Sequence, residues 1–340
     1  MDALSEVLKT IRLDGAVYIH AEFTAPWCAE VCYGLPRATA QGAGADHIIF
    51  FHCLTEGRCR ARLAEGGETL ELRSGDLIVF PHDHRHLLGS DLRLTPVDAN
   101  SVTPKAPPGE LIQLRHGGGG EATRFVCGYL ACNRRVSRAL LSALPQLLHV
   151  PLRDDPAGAW LLDLLMLGVH ESSLMRPGAQ SILTKLSELL FAEALRRYDH
   201  DLPPEQQGWL SGLRDPIVGR ALAMLHRQPA HAWTVDALAG AVSSSRSVLA
   251  ERFTRLTGES PMQYLTGHRL ALAAQALRSS HDPVARIAAR VGYGSEAAFT
   301  RAFKREFTMP PVAWRKCGAM GAAGSWPPAS LAVDHAAPLN

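Results

Sequence analysis

The sequence predicts an α+β multidomain chain: a short-stranded β-barrel with packed helices, then an all-α domain written as two copies of one helix-turn-helix unit. Three observations carry this. Residues from about Ala16 to Tyr129 alternate short apolar runs with Gly, Pro and Asp. From Val136 to Tyr198 apolar residues recur at three- and four-residue steps. In the last third, Ser245 and Ser295, Phe253 and Phe303, Arg255 and Arg305, Pro261 and Pro311, and Tyr264 and Trp314 share an offset of fifty.

A chain of 340 residues holds about two domains, and its net charge of +2 looks bland until it is divided. Between Arg214 and Lys316 stand 15 Lys/Arg against 7 Asp/Glu, a local +8, and the remainder carries −6. The basic excess coincides with the repeat, as phosphate contact requires. No apolar run approaches the ~20 residues of a membrane span. The N-terminus MDALSEVLKT has no basic segment followed by an apolar one, so no signal peptide is read. The expected location is cytoplasmic, where seven cysteines default to thiols.

In the first part, "GAVYIHAEF", "HIIFFHCL" and "ATRFVCGYLAC" read as strands, and Arg58–Leu72 reads as a hairpin around Glu65-Gly66-Gly67. "TPKAPPGE" and Gly117–Gly120 are loops. The helical stretch carries a stripe of Ile182, Leu186, Leu189, Leu190 and Leu195, suited to the barrel or to a second subunit. "DHDLPPEQQGWLSGLRDP" reads as an interdomain linker, and the small-residue, proline-containing tail after Cys317 reads as disordered.

In the first copy Thr234 caps a helix through Leu238, Ala239 and Val242, Ser243 and Ser244 turn the chain, and Ser245 caps a second helix burying Leu249, Phe253 and Leu256. In the second, Asp282 and Pro283 open a helix through Ile287, Ala288 and Val291. Gly292–Gly294 turn the chain, and Ser295 caps a helix burying Phe299, Phe303 and Phe307. Ala239 and Ala288 are offset by 49, so the second turn is one residue longer.

The polar faces of the two second helices supply the candidate DNA contacts: Arg246, Ser247, Glu251, Arg252 and Arg255, then Ser295, Glu296, Ala298, Arg301, Lys304 and Arg305. Residues early in such a helix reach base edges, and flanking ones meet phosphate. Arg301 is the first candidate for a base, guanine. "PMQYLTGHRLALAAQALRSS" reads as a connecting helix that holds the copies at fixed separation.

"VGYGSEAAFTRAFKREFTMPPVAWRK" and "WTVDALAGAVSSSRSVLAERFTRLTGESPMQYLTGHRLALAAQALR" resemble the DNA-binding domain of AraC/XylS-type transcription regulators over roughly 214–316. "GDLIVFPHDHRHLL", with Gly75-Asp76, Pro81 and His86, is similar to the second half-motif of cupin barrels. The first half resembles the cupin-type sensor region of a subgroup of those regulators. The resemblance implies a sensor and dimerisation unit at 1–200, a linker at 201–216, a reader at 217–317 and a tail at 318–340. It also implies a non-enzymatic regulator, classed as an activator, with promoter DNA, RNA polymerase, a second copy and an inducer as partners. Ala297-Ala298 departs from relatives that carry larger or polar residues there, which shifts base readout towards Arg301 and Glu296.

For the sensor the candidates are Cys28, Cys32, Cys127, His82 and His86. A thiol whose pKa is lowered by His82, Arg85 and His86 would read oxidants or electrophiles, Cys28 or Cys32 pairing with Cys127. His82, His84 and His86 share one face if their strand continues, whereas His47 and His52, five apart, face opposite sides. The competing reading is a metal ion held near His86, as a metal-dependent cupin enzyme or a metal sensor fused to a DNA-targeting domain. The first half-motif that would complete such a ligand set is not intact.

Overall fold

The computed structural model describes residues 3–11, 13–32, 47–104, 110–134, 136–203 and 208–316. The tail expected to be disordered lies outside them. The first part runs α1 (Ala3–Thr10), β1 (Asp14–Thr24), β2 (Cys28–Val31), β3 (His47–Glu56), β4 (Arg58–Leu63), β5 (Leu70–Arg73), β6 (Asp76–Phe80), β7 (His86–Gly89), β8 (Val97–Asp98), α2 (Ala99–Val102), β9 (Ile112–Gly117) and β10 (Ala122–Cys132). It continues with α3 (Arg138–Ser142), β11 (Leu148–Pro151), α4 (Pro156–Ser173) and α5 (Ala179–Asp201).

Two sheets result, ordered β11-β6-β3-β10-β1-β9 and β5-β4-β7-β2-β8. The β3 strand is buried without interruption from His47 to Leu54 because both of its faces are covered. Ile48, Phe50 and Leu54 join the core between the sheets, with Phe80, Phe125 and Leu88. Ile49, Phe51 and Cys53 face outward into a second core with Leu165 of α4 and Leu183 and Leu190 of α5. The predicted hairpin forms as β4 and β5. Gly75 turns β5 into β6 at φ 97°. Buried Asp76 locks that corner, its Oδ2 accepting from Arg73 N and His149 Nε2, both at 3.0 Å.

Two readings of this half need correction. The stretch after Val136 is not wholly helical, since Leu148–Pro151 pairs with β6 as an edge strand, too short for periodicity to reveal. The expected linker contains α6 (Trp209–Arg214), which buries Trp209 and Leu210. Its polar, proline-containing preface masked that helix, and 204–207 lie outside the described residues.

The helices α7 (Val218–Arg227), α8 (Val235–Ala241), α9 (Arg246–Thr257), α10 (Pro261–Ser279), α11 (Val284–Arg290) and α12 (Glu296–Phe307) follow, with a last helical turn at 311–316. The first copy packs Leu238, Ala239, Leu249 and Phe253 into the same cluster as Val7 and Ile11 of α1 and Leu222 of α7. The N-terminal helix thus packs on the reader, against α6 and α7. The second copy has its own core of Ile287, Ala288, Phe299, Phe303, Phe307 and Trp314.

Candidate nucleic-acid interface and the barrel interior

The two turns are built from the same hydrogen bonds. In the first, Ser243 N donates to Gly240 O (3.1 Å) and Ser244 N to Ala239 O (2.9 Å). In the second, Gly292 N donates to Ala289 O (3.0 Å) and Tyr293 N to Ala288 O (2.9 Å). This is a Schellman closure, which needs a left-handed residue just past the helix. Ser243 (φ 58°) and Gly292 (φ 89°) supply it. The extra residue of the second turn is Gly294, placed before Ser295 restarts the chain as a helix. Ser245 Oγ accepts from Val248 N (3.3 Å) and Ser295 Oγ from Ala298 N (3.2 Å), satisfying donors that each helix start leaves open.

The connecting helix α10 also ties the copies together. Arg269 donates to Pro229 O (2.6 Å) and His231 O (2.7 Å), in the loop before α8. A Cβ on Gly292 would lie 2.8 Å from Ala230 Cα, so the second turn rests on that same loop.

The predicted contact residues divide by what they already hold. Arg255, Arg301, Lys304 and Arg305 are exposed. Arg246 is exposed and pairs with exposed Asp236 at 3.3 Å, a contact worth little in water. Ser247, Glu251 and Glu296 are exposed, and Ala298 is half-buried. Arg252 turns inward instead, bonding Asp215 at 2.8 Å with the carboxylate only 10% exposed. It anchors α9 to the start of α7. Ser295 is occupied as a cap. Sequence periodicity missed Val248, 40% exposed near the start of α9, because an apolar residue there reads as core.

Inside the barrel, His52 and His86 meet. His52 Nδ1 lies 2.9 Å from Cys127 Sγ, His52 Nε2 lies 2.8 Å from His86 Nε2, and His86 Nδ1 lies 2.9 Å from His84 O. Phe80 stacks on His86 at 3.6 Å. Burial pushes both imidazoles down, His52 well below its usual range and His86 to about 4, so both are neutral. The direction of every proton in the chain follows. A carbonyl only accepts, so His86 donates through Nδ1 and accepts at Nε2. His52 therefore donates through Nε2 and accepts at Nδ1, and Cys127 S–H is the donor there.

This arrangement corrects the sensor reading. Cys127 and His86 are joined through His52, which sequence spacing had set aside. Cys28 and Cys32 stand at the two ends of β2 in the other sheet. Burial raises the pKa of Cys28, Cys32 and Cys127 alike, so no thiol among the three is cation-activated. Burial outweighs the cations nearby: Arg85 lowers the Cys32 pKa and Arg62 that of Cys28, yet desolvation raises both, and Arg85 is itself paired with Glu30 at 2.5 Å. Nor do His82, His84 and His86 share a strand face, since β7 starts only at His86 and Asp83 takes a positive φ of 58°.

Residues 2–199 match the cupin family and residues 238–316 match a helix-turn-helix domain family. The chain is 32% identical to an AraC-like transcription regulator of Streptomyces lividans, over 93% of this chain and 98% of that one. The chain belongs to the AraC-type transcription regulators. It is similarly 31% identical to the regulator AlkR of Acinetobacter baylyi, over 93% of this chain and 99% of that one. To the RCS-specific transcriptional activator RclR of Escherichia coli it is 30% identical, over 93% and 98% of the two chains.

This AraC-type regulator is a DNA-binding protein rather than an enzyme, with a cupin fold in front of its helix-turn-helix domain. No helix among its described residues is long and apolar enough to cross a membrane. Among the described residues, no group of three or more His, Cys, Asp or Glu could hold an ion. The facing Nε2 atoms of His52 and His86 are also bonded to each other.

Proposed function

We propose that this regulator binds promoter double-stranded DNA with α9 and α12 in successive major grooves, about 34 Å apart on one face of the duplex. The observation that carries the reading is the pair of matched, capped turns, each followed by a helix with unpartnered cations outward. Residues 217–317 are the reader, and 1–200 are the sensor and dimerisation unit. Arg301 reads guanine, Glu296 an adjacent base, and Val248 a thymine methyl. Arg255, Lys304 and Arg305 hold phosphates, with Arg246 and Ser247 beside them. As a cytoplasmic activator it then engages RNA polymerase.

A second copy covers the outer face of α4 and α5. Trp160, Leu167 and Leu174 follow at seven-residue steps with exposures of 62, 54 and 52%. Ile182 and Leu189 repeat that step on α5 at 52 and 50%. A seven-residue apolar period is the seam of helix-on-helix packing, and a self-complementary face suits a twofold dimer. The double variant Leu167→Lys/Ile182→Lys is expected to sediment as a folded monomer, its Tm no longer dependent on protein concentration. A dimer surviving both changes removes this face from the reading.

The barrel receives the signal. A thiol-borne oxidant or electrophile signal is a second reading, favoured by the contact of Cys127 Sγ with His52 Nδ1 at 2.9 Å, which links the thiol to His86. The experiment is binding of the full chain to the promoter region upstream of its own coding sequence, using reduced, oxidised and metal-stripped protein. Specific binding that changes with thiol state supports the second reading. Specific binding indifferent to both treatments points to a small ligand. Equal affinity for operator and random DNA refutes sequence-specific reading.

A further inference from the structure

A cavity of about 470 Å³ lies where the N-terminal part meets the reader, within the range of about 300–1,000 Å³ common for small-molecule sites. Val7 and Ile11 of α1 wall one side, Trp209 of α6 and Phe307 of α12 close others, and Gly267 and His268 of α10 line it. Two neighbouring features of α10 point to an occupant. His268 is only 8% exposed, and its Nε2 is buried without a hydrogen-bond partner among the described residues. A buried polar atom left this way is destabilising. Gly267 sits inside a helix, where glycine is also destabilising, yet a Cβ there would meet nothing within 4 Å. The helix forgoes stability at both positions, one an unsatisfied imidazole and the other an open space on the helix surface.

The neighbouring polar groups have found partners. Trp209 Nε1 donates to Tyr264 Oη (3.3 Å), and Tyr264 Oη is hydrogen-bonded to His226 Nε2 (2.7 Å). The His226 ring lies against His268, tilted by 42° with centroids 4.1 Å apart. Burial lowers the pKa of both imidazoles, which are neutral at physiological pH. Arg134 and Arg138 line the cavity with Glu259 and Glu306, so fixed charges cancel, and Arg138 pairs with Glu259 at 3.4 Å.

We propose that this cavity binds an uncharged small organic molecule bearing a hydroxyl group, which bonds His268 Nε2 while its apolar body lies against Val7, Ile11 and Phe307. The cavity borders α1, α10 and the end of α12, so occupancy fixes both halves of the reader against the N-terminal part and thereby sets DNA affinity. The inference rests on the DNA-binding assignment and is independent of what the barrel senses.

The test titrates 1-naphthol into the full chain, with 1-naphthoate as the charged comparison, and follows operator affinity in parallel. One saturable naphthol site is expected, with naphthoate at least about tenfold weaker. His268→Leu should weaken naphthol about tenfold, the scale of one lost hydrogen bond. His268→Gln should retain most of the affinity. Gly267→Leu, which fills the space and favours the helix, should abolish naphthol binding and the accompanying change in operator affinity while Tm holds or rises. The proposal is overturned by no naphthol binding, by binding undiminished in either His268→Leu or Gly267→Leu, by naphthoate binding as tightly, or by occupancy that leaves operator affinity unchanged.

Discussion

Ser243 and Gly292 hold the same left-handed place in two turns closed by the same hydrogen bonds, at φ 58° and 89°. Only one of them is a glycine. A non-glycine residue in that region carries a penalty of about 1 kcal/mol, which Ser243→Gly relieves at some cost in chain entropy. Denaturant unfolding should show Ser243→Gly more stable by about 0.5–1 kcal/mol. Gly292→Ala should lose at least about 1 kcal/mol, because its Cβ would stand 2.8 Å from the Ala230 backbone. Equal effects at the two sites would mean the turns are not equivalent.

Two arginines of the recognition helices should part company in DNA binding. Arg301→Ala is expected to cost roughly 1–3 kcal/mol at the specific site, with little change on random DNA. Arg252→Ala should instead lower stability by about 1 kcal/mol, because Asp215 loses its ion pair. Its operator affinity, measured where the protein stays folded, should change little. A loss at Arg301 that is equal on both DNAs would reassign that side chain to phosphate.

The reader was legible in the sequence because its signals are local. Caps at Thr234, Ser245 and Ser295 precede helices whose apolar positions follow one period, and the repeat makes each copy a check on the other. The barrel interior was not legible, because the contacts that define it span 75 residues between His52 and Cys127 and 34 between His52 and His86. Strand alternation placed His47 and His52 on opposite faces, but no pattern states what a residue meets across a barrel. Arg252 and Arg255 look alike in sequence, and only the packing of α6 and α7 under α9 separates them.

The directed hydrogen-bond chain makes Cys127 a sensitive position. Cys127→Ser keeps a donor for His52 and should remain within about 1 kcal/mol of the parent. Cys127→Ala leaves His52 Nδ1 buried without its donor and should cost about 1–3 kcal/mol more. Equal stability of the two variants would show that the thiol does not donate. Among the described cysteines, native thiol labelling should reach Cys32 first, since Cys28, Cys53, Cys59, Cys127 and Cys132 are buried.

Four of the buried imidazoles set how the fold responds to acid. His52 and His226 are held well below the ordinary histidine value of 6.5, and His86 and His268 fall to about 4. In each case burial in an apolar setting disfavours the charged form. Above pH 6.5 the native and unfolded chains both hold these rings neutral, and the native state keeps its full stability. As pH falls below 6.5 the unfolded chain takes up protons that the native chain refuses, so stability drops until the native rings also protonate, near pH 4 for His86 and His268. A ring shifted from 6.5 to about 4 contributes on the order of 3 kcal/mol to that drop. The salt-bridged carboxylates Glu22, Asp91 and Glu193 have lowered pKa values, so their own losses begin at lower pH than the histidine limb. Urea unfolding at pH 7.5, 6, 5 and 4.5 should therefore show stability declining already between pH 6.5 and 5, before those carboxylates titrate. His268→Gln should flatten part of that decline, and a stability flat down to pH 5 would mean that the four rings are not held neutral by burial.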